Sequence, residues 1–117
     1  MRTGLLGKTL AHSISPLLHG LLGDENYRLF EIPEEDVGAF MTGGAWDAIN
    51  VTIPYKKTVI PYCSSLSDRA AAIGSVNTVV RRPDGTLYGD NTDFAGFSDM
   101  ARDVDFKGRK TVILGSG

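Results

Sequence analysis

The 117-residue chain contains one cysteine, two histidines and one tryptophan, and no apolar run approaching the roughly 20 residues needed to cross a bilayer. A lone Cys63 excludes an internal disulfide and fits a reducing compartment, so the cytoplasm is the expected location. His12, His19 and that thiol are too scattered for a zinc pattern. The Asp90-Asn91-Thr92-Asp93 run lacks the later glycine and bidentate glutamate of a calcium loop. No metal is therefore expected. Charge of one sign is also scarce: 12 Lys and Arg against 14 Asp and Glu give a formal net charge of −2. With no basic face, neither nucleic acid nor an anionic membrane is an expected partner, which leaves a small molecule. The opening Met1 to Gly7 lacks the apolar stretch of a secretory signal.

What is present suits one globular domain: 42% hydrophobic and 22% charged residues, enough to bury a proper core at this length. Gly4 to Gly7 reads as a buried strand. Ser15 is positioned to cap a helix, with Pro16 in its first turn and Leu17, Leu18, Leu21 and Leu22 along one face up to Gly23. A second strand is expected over 27–32. Pro33 and the acids Glu34, Glu35 and Asp36 then open a helix that Gly43-Gly44 ends. A third strand runs from Trp46 to Ile53, where Pro54 forces a turn, and the stretch to Tyr62 reads as a broken connection. Ser65 or Ser67 can cap a helix over 68–73 closed by Gly74. Strands over 76–81 and 87–88 form a hairpin around Arg82-Pro83-Asp84-Gly85. A last helix starts near Asp93, with Phe94, Phe97, Ala101 and Val104 at helical spacing, and Lys110 to Leu114 reads as a closing strand. This alternation predicts an α/β three-layer sandwich with a mostly parallel sheet and one antiparallel hairpin element.

Four polar clusters interrupt this pattern. His12-Ser13-Ile14-Ser15-Pro16 sets two hydroxyls ahead of a helix start, where exposed N–H groups favour an anion; in the simpler reading Ser15 only caps. Asn50-Val51-Thr52-Ile53-Pro54-Tyr55-Lys56 delivers an amide, a hydroxyl and an ammonium to one end of a sheet. Lys56 there can donate a proton or clamp oxygen atoms, or it can be an ordinary surface lysine. Val76-Asn77-Thr78 begins a strand with two polar side chains, one for each face. Asn77 can line a cleft or bond a neighbouring loop. Gly89-Asp90-Asn91-Thr92-Asp93 packs two carboxylates between a strand and a helix, with Asp93 either a first-turn carboxylate or a reacting group.

In this order, from about Leu6 to Gly117, the four clusters together resemble shikimate dehydrogenase. The resemblance implies NADP-dependent hydride transfer between 3-dehydroshikimate and shikimate, in the synthesis of aromatic amino acids. It implies that Ser13 and Ser15 hold the substrate carboxylate, that Thr52, Asn77 and Asp93 engage ring hydroxyls, and that Lys56 and Asp93 are the catalytic pair. Residues 1–106 would be the substrate-binding domain. Residues 107–117 would be a linker with the first strand and a truncated glycine turn, including Gly115 and Gly117, of an NADP-binding domain that otherwise lies outside this sequence. This chain alone would then bind substrate without turnover. A quinate- or aminoshikimate-specific relative and a non-catalytic ligand-binding module are the alternative readings. A homodimer is expected through the strand edge left at Val112 to Leu114.

Overall fold

A computed structural model describes residues 1–115. Its strands are β1 (Thr3–Gly7), β2 (Arg28–Glu31), β3 (Ala48–Val51), β4 (Ser65–Leu66), β5 (Thr78–Arg81) and β6 (Leu87–Asp90). Its α-helices are α1 (Ser15–Leu21), α2 (Val37–Thr42), α3 (Asp68–Ile73) and α4 (Asp93–Met100), with 3₁₀ turns at Glu34–Asp36 and Ile60–Tyr62. One six-stranded sheet runs in the order β2-β1-β3-β5-β6-β4. The pairings β1 with β2, β1 with β3 and β4 with β6 are parallel, while β5 is antiparallel to both neighbours. Among the described residues β5 is thus the one reversed strand, set by the hairpin whose loop closes through Arg82 N–H to the Thr86 carbonyl at 2.8 Å.

Successive strand residues point to opposite faces, and two cores follow from that. Leu6, Ile49, Val51, Val79 and Leu87 face Val37 and Met41 of α2 and Ala70 of α3, together with Trp46, Tyr55, Val59 and Val76. The fully buried indole of Trp46 donates to the Phe40 carbonyl, and the Arg81 guanidinium lies 4.6 Å from the centre of its rings. On the other face Leu5, Leu10 and Tyr27 form a smaller cluster, with His19 of α1 stacked on Tyr27 at 3.7 Å. Helices therefore lie on both sides of the sheet, as the strand and helix alternation predicts.

Several local expectations are corrected. Ser15 is the first residue of α1 and caps nothing: the Ile14 backbone is already helical and its carbonyl accepts from Leu18 N–H at 3.1 Å. Leu17, Leu18, Leu21 and Leu22 are exposed, as are Phe94, Phe97 and Met100 of α4. Periodicity identifies these apolar faces but not what covers them, and no described element does. The second and third strands are shorter than expected: Tyr27 and Trp46 turn into the cores, and beyond the Thr52 N–H bond to the Leu6 carbonyl at 2.9 Å the chain leaves the ladder ahead of Pro54. The two-residue β4 has no counterpart among the expected strands. Residues 110–114 form no strand. They have no partner in the sheet, and Val112, Ile113 and Leu114 are at least 80% exposed.

Candidate substrate site

β3 ends at Val51 and the chain bends through the cis Ile53-Pro54 peptide into Tyr55 and Lys56. Tyr55 anchors this bend: it is 1% exposed and its hydroxyl donates to the Ile32 carbonyl at 2.6 Å. The Lys56 carbonyl accepts from Val76 N–H at 2.8 Å, which sets the lysine beside the strand entry that carries Asn77. Lys56 Nζ donates to Asp93 Oδ2 at 2.6 Å, and Asn77 Nδ2 donates to the other carboxylate oxygen, Oδ1, at 2.8 Å. Asp93 is held in turn by its own loop. Buried Asn91 accepts from Asp93 N–H at 3.0 Å and donates to the Ser75 carbonyl at 3.0 Å, which fixes the first turn of α4. Asn77 thus both faces the site and bonds the neighbouring loop, since its Oδ1 accepts from Thr92 N–H at 2.9 Å.

The charges follow this geometry. The Lys56 hydrogen bond, foremost, holds the Asp93 carboxyl below its usual range; partial burial opposes the shift, while the Asn77 amide and the Lys56 charge assist it. Asp93 is therefore an anion across the neutral range and an acceptor only. The Lys56 side chain is 30% exposed and that of Asp93 is 57% exposed, so the pair stands at an opening and not in the core.

Ser13, Ser15 and Thr52 line a second part of the same end of the sheet. They surround a cleft of about 330 Å³ together with Leu10, Thr9 and His12, a volume suited to a small ligand. Ser13 N–H donates to the Leu10 carbonyl at 2.9 Å, and its Oγ accepts from Ser15 N–H at 3.3 Å, so the two serines are set by one turn. Thr52 lines this cleft and lies four residues before Lys56 in the chain. The structure therefore brings Lys56, Asn77 and Asp93 into one bonded group and Ser13, Ser15 and Thr52 into one cleft. His12 and Thr9 of the cleft, and Asn50, Thr78 and Tyr27 behind the ion pair, are absent from the site residues that the sequence predicts. The signal available for the last group is polar residues at alternate strand positions, where a buried face should be apolar.

Little of a dinucleotide site belongs to these residues. Gly115, with φ +92°, is the only described part of the expected glycine turn, and Gly117 lies outside the described residues. No group of three or more metal-binding side chains occurs among the described residues, and no helix is long and apolar enough to cross a membrane.

A mixed sheet with helices on both faces, a hydroxyl-lined cleft and a lysine-carboxylate pair at one sheet end define an α/β small-molecule-binding domain. Comparison with known proteins gives the family. Residues 5–79 match the family model described as the shikimate dehydrogenase substrate binding domain, and the chain belongs to that family. It is 42% identical over 125 residues to a shikimate dehydrogenase (NADP(+)) from Chlorobium phaeovibrioides, an alignment covering 97% of this chain and 43% of the relative. The shikimate complex of shikimate 5-dehydrogenase from Thermus thermophilus superposes with a TM-score of 0.82 at 32% identity, over 93% of this chain and 45% of that one. A quinate dehydrogenase from Corynebacterium glutamicum in complex with NAD gives 0.71 at 29% identity, over 86% and 40%. The chain thus spans less than half the length of these relatives.

Proposed function

We propose that this chain is the substrate-binding half of an NADP-dependent shikimate dehydrogenase, with residues 1–106 forming the substrate domain and 107–117 leading into the cofactor domain. The observation that carries the reading is the Lys56 to Asp93 ion pair completed by Asn77, at the same end of the sheet as the cleft lined by Ser13, Ser15 and Thr52. Ser13 and Ser15 hydroxyls hold the substrate carboxylate, and Thr52, Asn77 and Asp93 hold ring hydroxyls. NADPH, held by the cofactor half, would supply the hydride. As negative charge grows on the ketone oxygen, the Lys56 ammonium stabilises it and donates the proton that completes the alcohol. Asp93 orients that ammonium and accepts from the adjacent substrate hydroxyl. In the reverse direction Lys56 takes the alcohol proton back. The reaction takes place in the cytoplasm, consistent with the single thiol.

The test is NADP reduction by shikimate, followed through NADPH absorbance, in a polypeptide that carries this sequence with its cofactor half. The reading expects oxidation of shikimate that Lys56→Ala abolishes. Turnover with quinate in preference to shikimate would favour the quinate-specific alternative, and no turnover of either by folded protein would overturn the dehydrogenase reading. In this chain by itself, pairing of two copies through the exposed Val112 to Leu114 stretch is the homodimer to look for, by sedimentation across a concentration series.

A further inference from the structure

Behind the ion pair runs a chain of hydrogen bonds that donate in one direction and meet, at Asn77, a second set from Thr92, whose N–H donates to Asn77 Oδ1 at 2.9 Å and whose Oγ1 lies 2.9 Å from Nδ2. The Tyr27 hydroxyl donates to Asn50 Oδ1 at 2.8 Å, and Asn50 Nδ2 donates to Thr78 Oγ1 at 3.4 Å. Thr78 Oγ1 donates to Asn77 Oδ1 at 3.0 Å, and Asn77 Nδ2 donates to Asp93 Oδ1. The register explains how residues from separate segments meet: Asn50 of β3 pairs with Thr78 of β5, and Leu5 pairs with Asn50 on its other side. Tyr27 is 8% exposed, clamped by the stacked His19 ring.

We propose that Tyr27, Asn50 and Thr78 are positioning residues that reinforce the Thr92 N–H in holding the oxygen of the Asn77 amide, and so steady its nitrogen at Asp93 and the Lys56 to Asp93 pair. An amide has two near-isosteric orientations, and only its partners choose between them. At Asn77 the Thr92 N–H, which can only donate, already selects the oxygen; Tyr27 acts one step back, where a donating phenol takes the Asn50 oxygen and leaves the Asn50 nitrogen for Thr78. Thr78 Oγ1, having accepted, sends its one proton on to Asn77. If Tyr27 loses its hydroxyl, Asn50 is free to turn over and accept from Thr78, and Asn77 Oδ1 loses one of its donors. Asn77 Oδ1 then keeps only its Thr92 donors, and its nitrogen is held less firmly at Asp93. Burial, foremost, and the charge of Asp24 raise the Tyr27 phenol to about 12, so the hydroxyl keeps its proton throughout the neutral range. Chains that donate in one direction also polarise one another, which strengthens the terminal link.

This inference rests on the reading of Lys56 and Asp93 as the reacting pair, so its test carries one readout that does not depend on it. In the isotope-labelled chain, the side-chain amide of Asn77 and the carboxyl titration of Asp93 are followed by NMR in Tyr27→Phe, Thr78→Val and Thr78→Ser, with shikimate affinity measured alongside. Tyr27→Phe and Thr78→Val should both move the Asn77 amide resonance and raise the Asp93 carboxyl toward its ordinary range, and Thr78→Ser should restore both. Shikimate affinity should weaken about three- to tenfold, what the loss of one hydrogen bond accounts for. Should Tyr27→Phe fail to fold, the Thr78→Val and Thr78→Ser comparison decides. A folded Thr78→Val with an unmoved amide and an unmoved Asp93 titration would overturn the inference. Absence of shikimate binding in the unaltered chain would sink the functional reading instead, leaving the amide result to judge the relay.

Discussion

Replacing Lys56 with methionine keeps most of the apolar stem and removes the charge, which separates what the ion pair does for stability from what it does for chemistry. The stability effect should be small. The pair is short, at 2.6 Å, but the two side chains are 30% and 57% exposed, so water screens the attraction. Exposed pairs contribute about 0.2–1 kcal/mol. Breaking a buried pair costs about 3–5 kcal/mol because the remaining charge is left without a partner, but Asp93 can take water in place of the lysine and keeps its Asn77 bond. A loss of about 0.5–1 kcal/mol is expected, a fall in Tm of only a few degrees. The catalytic effect should be large, since a positioned proton donor accounts for about 10²- to 10⁴-fold in rate, or about 2.7–5.5 kcal/mol of barrier. Thermal melting of Lys56→Met and NADPH-linked turnover in the polypeptide bearing both halves measure the two quantities. Turnover within about threefold of the unaltered enzyme, or a stability loss above about 3 kcal/mol, would show that the lysine is structural and refute the assignment.

Three further outcomes follow from the fold. Ser67→Ala should destabilise the chain by about 1–2 kcal/mol in urea unfolding, because Ser67 Oγ accepts from Ala70 N–H at the start of α3 and also donates to Asp90, both lost together. Met41→Ala, at a fully buried site between α2 and the sheet, should cost about 2–5 kcal/mol by the same measurement. The carboxyls of Asp47, Asp84, Asp90 and Asp93 are all held low, that of Asp47 to about 2 by its hydrogen bonds to Arg2. Depressed carboxyls add stability that is complete above the ordinary carboxylate range near pH 4 and is lost as pH falls through the folded values. The urea midpoint should therefore decline from about pH 5 to about pH 2, and Asp47→Asn should flatten the lower part of that curve.

Much of this architecture is legible in the sequence where a local rule acts alone. Gly74 ends α3 with φ +67°, a left-handed conformation that suits glycine, and Ser67 caps the same helix. The hairpin of β5 and β6 follows from Pro83-Asp84-Gly85. Local rules fail where tertiary partners decide. The leucines of α1 predict an apolar face but cannot say that no described element covers it. Thr111 to Leu114 have the composition of a strand, yet a strand needs a neighbour to bond. Ser15 looks like a cap because serine precedes proline, but the helical turn begins one residue earlier, at Ile14. The family resemblance pairs Lys56 with Asp93, and the fold brings these two residues, 37 apart in the chain, to 2.6 Å. The supporting chain through Tyr27, Asn50 and Thr78 depends on strand register, which no single segment encodes.

Titrating this chain with shikimate while following its backbone amides is the most direct test of the proposed substrate site. Saturable shifts centred on Ser13, Ser15, Thr52, Lys56, Asn77 and Asp93 are expected. Shifts centred elsewhere, or none with millimolar shikimate while the amide spectrum shows a folded chain, would contradict it.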